Sequence, residues 1–255
     1  MGSRTHHIAL TLSLLGVIAL TTGCATTRTE RDVDPIEPAN RVFFNINETL
    51  DKHLLKPVAE TYANITPRPV RTSITNFFDN LTYLNVVLNA FLQGKLDQGL
   101  SDTTRFLFNS TFGIAGLFDV ATPMGLPEHE EDFGQTMAVW GVGEGAYLYL
   151  PLNGPNTISN TPDIVTSTLL NPLFYITSTI LYPVSALYTI NKRANLLEAT
   201  NIRDEAAIDT YTFTREAYLQ QRNYLNHDGN PPVTGYDDIF NDDGTDDESG
   251  VLMIK

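Results

Sequence analysis

The chain has 255 residues, 42% hydrophobic and 18% charged, with 30 acidic against 16 basic side chains and a net charge of −14. That length suffices for one sizeable domain, and the charged share falls below the roughly one quarter usual for soluble proteins. The acidic balance excludes a generic nucleic-acid binder, which needs a basic face to neutralise phosphates; the single cysteine excludes an internal disulfide framework and any site built from several thiolates.

In chain order, Arg4, His6 and His7 form a polar head, and the uncharged segment from Ile8 to Leu20 follows. That segment has the length of a signal-peptide core and is too short to span a bilayer. Gly23 then precedes the lone cysteine, Cys24. The arrangement resembles a bacterial lipobox, with Thr21 where leucine is usual. The resemblance implies a signal peptide over residues 1–23 and a diacylglycerol on the Cys24 thiol. Ala25 after the cysteine resembles an outer-membrane address. The alternative is an ordinary signal peptide with a chance cysteine. Residues 24–33 would form the acylated anchor and linker.

The periodicity predicts helices next. Val42 or Phe43, Ile46, Leu50 and Leu54 recur at helical spacing, with Pro57 as the expected stop. Val70, Ile74, Phe77, Phe78, Leu81, Leu84, Leu88 and Phe91 make a longer helix, stopped at Gly94. Leu96, Leu100, Thr103 and Leu107 suggest a third; Ala207, Tyr211, Tyr218 and Leu225 suggest a late one. Alternation is confined to Ala146 through Leu150. The expected fold class is mainly α.

From Ile164 to Asn191 no charge occurs. Pro172 and Pro183 interrupt this stretch, so the segment between them, Leu173 to Tyr182, gives about 15 Å of helix, half of a roughly 30 Å hydrocarbon layer. A helix entering one leaflet and a buried core helix pair fit equally well. Insertion would require the irregular backbone to face protein or a polar interior.

From Asp228 onward lie eight acids opposed only by Lys255. This composition reads as an acidic disordered tail over 228–255; neither glycine register in it completes an EF-hand loop. The main domain is then 34–227. Gly141, Gly143 and Gly145 lack the strand-then-helix context of a dinucleotide site and read as turn chemistry. His129, Glu130, Glu131 and Asp132 form a histidine–acid cluster without a second histidine near by, expected as a solvated loop rather than a metal site. No nucleophile, base and orienter are spaced as a triad, so neither an enzyme nor a cofactor is expected.

An ordered set of motifs spans most of the chain. It opens with Asp34-Pro35-Ile36-Glu37 and Asn40-Arg41, then Lys56-Pro57-Val58-Ala59, Asn76-Phe77-Phe78 and Phe91-Leu92-Gln93-Gly94. Arg105-Phe106, Asn109-Ser110-Thr111 and Phe118-Asp119-Val120-Ala121 follow, then Asp132-Phe133-Gly134-Gln135-Thr136, Trp140-Gly141-Val142-Gly143 and Leu150-Pro151-Leu152 with Gly154-Pro155. Asp209, Tyr211 and Arg215-Glu216-Ala217-Tyr218 close it. The set resembles the MlaA (VacJ) family of outer-membrane lipoproteins.

The resemblance implies a ring of amphipathic helices half-inserted in the periplasm-facing leaflet of the outer membrane. A polar passage through the ring would remove misplaced phospholipid from the outer leaflet and pass it to a periplasmic carrier. Trimeric porins are the implied partners. Gly141, Gly143, Gly145 and Gly154 would belong to a mobile hairpin acting as a gate near the passage, or to a rigid turn. The alternative function is a porin-associated scaffold without its own lipid passage.

Overall fold

A computed structural model describes residues 33–232. The expected signal peptide, Cys24, most of the linker and the acidic tail beyond residue 232 lie outside the described residues.

Helix α1 (Glu37–Leu50) begins at Pro38 in its first turn, where a missing N–H is harmless. Pro57 does not stop the helical run. A π-helical turn, Asp51–Leu55, leads directly into α2 (Lys56–Ile65), with Pro57 in the first turn of the new segment. The Lys56 N–H reaches back to the Asp51 carbonyl, five residues away, so the ladder has already shifted where proline offers no donor. Helix α3 (Arg68–Leu92) is the longest of the described helices and closes at Gly94, whose φ is +79°. Helix α4 (Leu96–Thr111) and the short α5 (Phe133–Val139) follow. The Asp132 side chain caps α5 by accepting from the Gln135 N–H at 2.8 Å.

The alternating segment forms strand β1 (Tyr147–Leu150), paired antiparallel with β2 (Gly154–Thr157), Tyr147 facing Thr157. Helix α6 (Asp163–Leu170) comes next. Leu173 to Tyr182 is not one helix. A 3-10 turn, Pro172–Tyr175, gives way to extended Ile176 and Thr177, and α7 (Ser178–Asn195) then runs through Pro183. The break falls at Thr177 because its extended backbone starts a new helix there. Pro183 lies inside α7, so it forgoes one backbone bond without ending the helix. Helix α8 (Leu197–Ala206) and α9 (Thr210–Asn226) complete the fold. Ala207 falls outside α9, which starts after its cap, Asp209. Among the described residues no helix is long and apolar enough to cross a membrane.

The packing contacts close a circuit. Helix α3 touches α5, α5 touches α9, α9 touches α8, α8 touches α7, and α7 returns to α3. The two helices that pack beside this circuit, α4 on α3 and α1 on β1, are inverted in polarity relative to a water-soluble bundle. Helix α4 turns Leu96, Leu100 and Leu107 outward and buries Gly99, Asp102, Arg105 and Asn109. Helix α1 exposes Val42, Phe43, Ile46, Leu50 and the following Leu54. The apolar stripes of α1 and α4 thus face outward, whereas Phe78 of the α3 stripe and Tyr211 of the α9 stripe are buried.

Candidate functional site: a polar cleft between α3 and α7

One face of α3 carries Arg68, Arg71, Thr72, Thr75, Asp79 and Thr82, at the three- and four-residue spacing that aligns side chains along a helix. This row looks onto α7. The Asn191 and Asn195 amides donate to Thr75 Oγ1 at 2.8 and 2.9 Å, and Phe78 packs on Tyr188 with ring centres 4.9 Å apart. Contacts step down α7 as they step up α3, so the two helices run antiparallel.

Three adjoining cavities follow this helix pair. The first, about 440 Å³, lies by Arg68, Arg71, Asn195 and Glu198. The second, about 230 Å³, lies by Thr75, Asp79, Asn191 and Lys192, and shares Asn195 with the first. The third, about 280 Å³, lies between α6, the 3-10 turn and α7, by Leu173, Phe174 and Leu181, and shares Phe78 and Tyr188 with the second. From Arg68 to Thr82 the cleft extends about 21 Å along the helix at 1.5 Å per residue. It grades from arginines at one end, through an Asp–Lys centre, to an aromatic and aliphatic end.

Asp79 faces solvent, yet protein surrounds it closely enough to matter. Desolvation, reinforced by the Glu128 and Glu130 carboxylates and opposed by Lys192, pushes its carboxyl up to about 6. Arg71 buries its Nε without a protein partner.

A polar network, satisfied except at Asp102 Oδ2 and Gln93 Oε1, backs the cleft on the α4 side. Arg105 donates to Thr122 Oγ1 and the Leu126 carbonyl at 2.8 Å and to Asp119 at 3.0 Å. Burial pushes the Asp119 carboxyl up, but hydrogen bonds from Thr122, Arg105 and Asn109 outweigh it and hold it at about 2. The fully buried Asp102 accepts from Tyr83 at 2.9 Å and sits 2.7 Å from His129 Nδ1. Glu131 receives Gln93, Lys95 and Gln98, and Asp132 pairs with Arg222. The His129–Asp132 segment is therefore a junction between elements, not a solvated loop. His53 and His227 each bond a carbonyl of their own helical segment.

The glycine-rich segment behaves differently. Gly141, Gly145 and Gly154 adopt positive φ of 85°, 71° and 86°. A side chain at Gly141, Gly143 or Gly154 would meet open space, whereas one at Gly145 would press on Ile158. The strands between them are pinned. Asn40 Nδ2 donates to the Tyr147 carbonyl and its Oδ1 accepts from the Tyr149 N–H; Asn47, two helical turns on, makes the same pair with Leu150 and Leu152. Two asparagines on one face of α1 thus satisfy the free edge of β1.

A sequence profile described as MlaA lipoprotein matches residues 32–225. The chain belongs to the MlaA lipoprotein family. It is 33% identical to the intermembrane phospholipid transport system lipoprotein MlaA of Shigella flexneri, over 90% of this chain and 91% of that one. An uncharacterized protein of Rickettsia bellii is 37% identical over 74% of this chain and 75% of its own length. A chain solved in work on the structural basis for maintenance of bacterial outer membrane lipid asymmetry superposes with a TM-score of 0.67 at 34% identity, covering 76% of this chain and 98% of that chain. Membership makes this chain a membrane-associated lipoprotein of a lipid-transport family.

The sequence reading located the hairpin but took His129 to Asp132 for a solvated loop and missed Asp79 and Lys192. A signal existed for both. Thr75, Asp79 and Thr82 form a polar row on a helix whose other positions are Ile74, Phe77, Leu81 and Leu84, and Lys192 is the first charge after the uncharged stretch.

Proposed function

We propose that this lipoprotein removes mislocalised phospholipids from the outer leaflet of the outer membrane and passes them to a periplasmic carrier, maintaining lipid asymmetry. The circuit of helices sits as a ring in the periplasm-facing leaflet, held there by acyl chains on Cys24, and trimeric porins flank it. The observation that carries this reading is the inverted polarity: Leu100 is 61% and Phe112 71% exposed, while Asp102, on the other face of the same helix as Leu100, is 0% exposed. Exposed apolar surface of that extent marks contact with lipid or another protein.

The passage is the cleft between α3 and α7. A charged head group is costly to carry through hydrocarbon; the Asp79, Asn191 and Lys192 surface lowers that cost while the acyl tails keep to the Phe174 and Leu181 end. No bond is made or broken, so the process needs neither catalytic residue nor cofactor. The hairpin strands stay fixed, and Gly141, Gly143, Gly145 and Gly154 let the turns that flank them move as a gate near the passage. The absence of packing at three of the four supports that role.

Deleting the gene should raise phospholipid exposed on the cell surface, and Asn195→Trp, which fills the cleft without touching the outer face, should raise it to a similar level. A deletion without effect sinks the transport reading. A deletion that raises surface phospholipid, beside a folded Asn195→Trp protein that restores normal levels, leaves only the porin scaffold.

A further inference from the structure

The central cavity of the cleft places opposite charges on its two walls without joining them. Asp79 on α3 and Lys192 on α7 both line the space of about 230 Å³. Neither has an ion pair or side-chain hydrogen bond among the described residues. The nearest feature to Lys192 is the Tyr188 ring, whose centroid lies 5.7 Å from the ammonium. The arrangement contrasts with four buried or half-buried arginines of the fold. Arg105, Arg193, Arg203 and Arg222 are each bonded to a carboxylate.

The field across the cavity is also lopsided. Glu128 and Glu130 reinforce the negative wall at Asp79. Past Asn195, the adjoining cavity adds Arg71 and Arg68, which stand on α3 like Asp79, with Glu198 opposite them. Next to the Asp–Lys centre, beyond the Phe78–Tyr188 pair, the third cavity offers Leu173, Phe174 and Leu181. A ligand complementary to all three features carries an ammonium and a phosphate close together and an apolar chain attached beyond the phosphate.

We propose that Asp79 and Lys192 form a head-group site for a zwitterionic phospholipid. The Lys192 ammonium takes the phosphate, the Asp79 carboxylate takes the lipid's own ammonium, and one acyl chain lies past Phe78 and Tyr188. The pair makes the passage selective. An anionic phospholipid with an uncharged glycerol head satisfies Lys192 but leaves Asp79 desolvated and unpaired, which is unfavourable. This site rests on the phospholipid-passage reading and adds head-group preference to it.

The test uses the full-length lipoprotein, purified in mild detergent after incorporation into nanodiscs holding equal parts phosphatidylethanolamine and phosphatidylglycerol. Retained lipid is quantified by mass spectrometry. The wild type should retain phosphatidylethanolamine over phosphatidylglycerol by about five-fold, the ratio that one partly desolvated charge contact supports. Asp79→Asn should bring the ratio to about one while total lipid falls little, because the loss is confined to the ammonium contact. Lys192→Met should lower both lipids together. Both sites are solvent-facing, so the variants should fold, as circular dichroism would verify. Equal retention of the two lipids by the wild type, or a ratio that Asp79→Asn leaves unchanged, overturns the head-group site and spares the passage. A wild type that retains no phospholipid overturns the passage reading and the site together.

Discussion

Two regions of this molecule are stabilised by different physics. Around the hairpin, α1 and α9, the interior is aromatic: Phe44, Tyr147, Tyr149 and Tyr211 are buried and meet edge to face at centroid distances of 5.3 to 6.3 Å. Around α3, α4 and α7, the interior is made mostly of Asn, Asp, Arg and Tyr with Phe78, Ala90 and Ala194, and the large aliphatic residues lie outside or half-buried. The first region is a conventional core that buries apolar area. The second derives little from burial and depends on satisfied hydrogen bonds and on its surroundings. A helix circuit with a polar interior cannot hold itself together by hydrophobic contact across its centre. The aromatic core at one side supplies the fixed point.

The largest expected effect follows from that division. Tyr147→Ala empties the centre of the aromatic cluster and should destabilise the protein by about 3–5 kcal/mol, read as a fall in the denaturant midpoint in detergent. Tyr147→Phe should be neutral or slightly stabilising, because the buried Tyr147 hydroxyl has no hydrogen-bond partner among the described residues. A loss of more than about 1 kcal/mol in Tyr147→Phe would show that the hydroxyl is satisfied. In the second region, Arg105→Met leaves the Leu126 carbonyl and Thr122 without their donor and Asp119 without its cation. It should cost about 3 kcal/mol and free the 119–128 segment to rapid amide exchange, while exchange at Tyr147 and Tyr149 stays slow. Equal loosening of both regions would mean that they are one cooperative unit.

The two regions were also unequally legible. Periodicity located α1, α3, α4 and α9 because outward-facing apolar stripes have the same spacing as inward-facing ones. Spacing alone does not say which way a stripe points, so Ile46 and Leu100 were placed on helices without being placed in lipid or core. Pro57 misled because a local rule about proline takes no account of a π-turn that moves the hydrogen-bond ladder ahead of it. Pro183 misled similarly, while the real break came at Thr177, whose extended backbone no composition signal marks. The Glu131 and Asp132 pairings join residues 33 to 90 positions apart in sequence, so a cluster that looked hydrophilic and free is tied down by partners that only folding brings near. The cleft was invisible for the same reason: Asp79 and Lys192 are on different helices, and each alone is an ordinary charge.

The smallest expected effect concerns that same Asp79. Its carboxyl lies at about 6 in the folded state against an ordinary value of 3.8. The folded state therefore binds the proton more tightly than the unfolded chain between these values, and stability attributable to this group falls as pH rises through 6. At pH 7.5 the ionised carboxylate is held at a disadvantage, which Asp79→Asn removes. After discounting for its contact with solvent, the variant should gain about 1 kcal/mol over wild type at pH 7.5, and the gap should narrow to roughly a third of that by pH 4.5. Asp119 moves in the opposite sense. Held at about 2, it contributes stability above the ordinary carboxylate range that disappears only as pH falls toward 2. Paired unfolding curves for wild type and Asp79→Asn across pH 4.5 to 7.5 isolate the first group, because Asp119 stays ionised throughout. A gap that does not change with pH would mean that water screens Asp79 completely and that the cleft at its centre is as open as bulk solution.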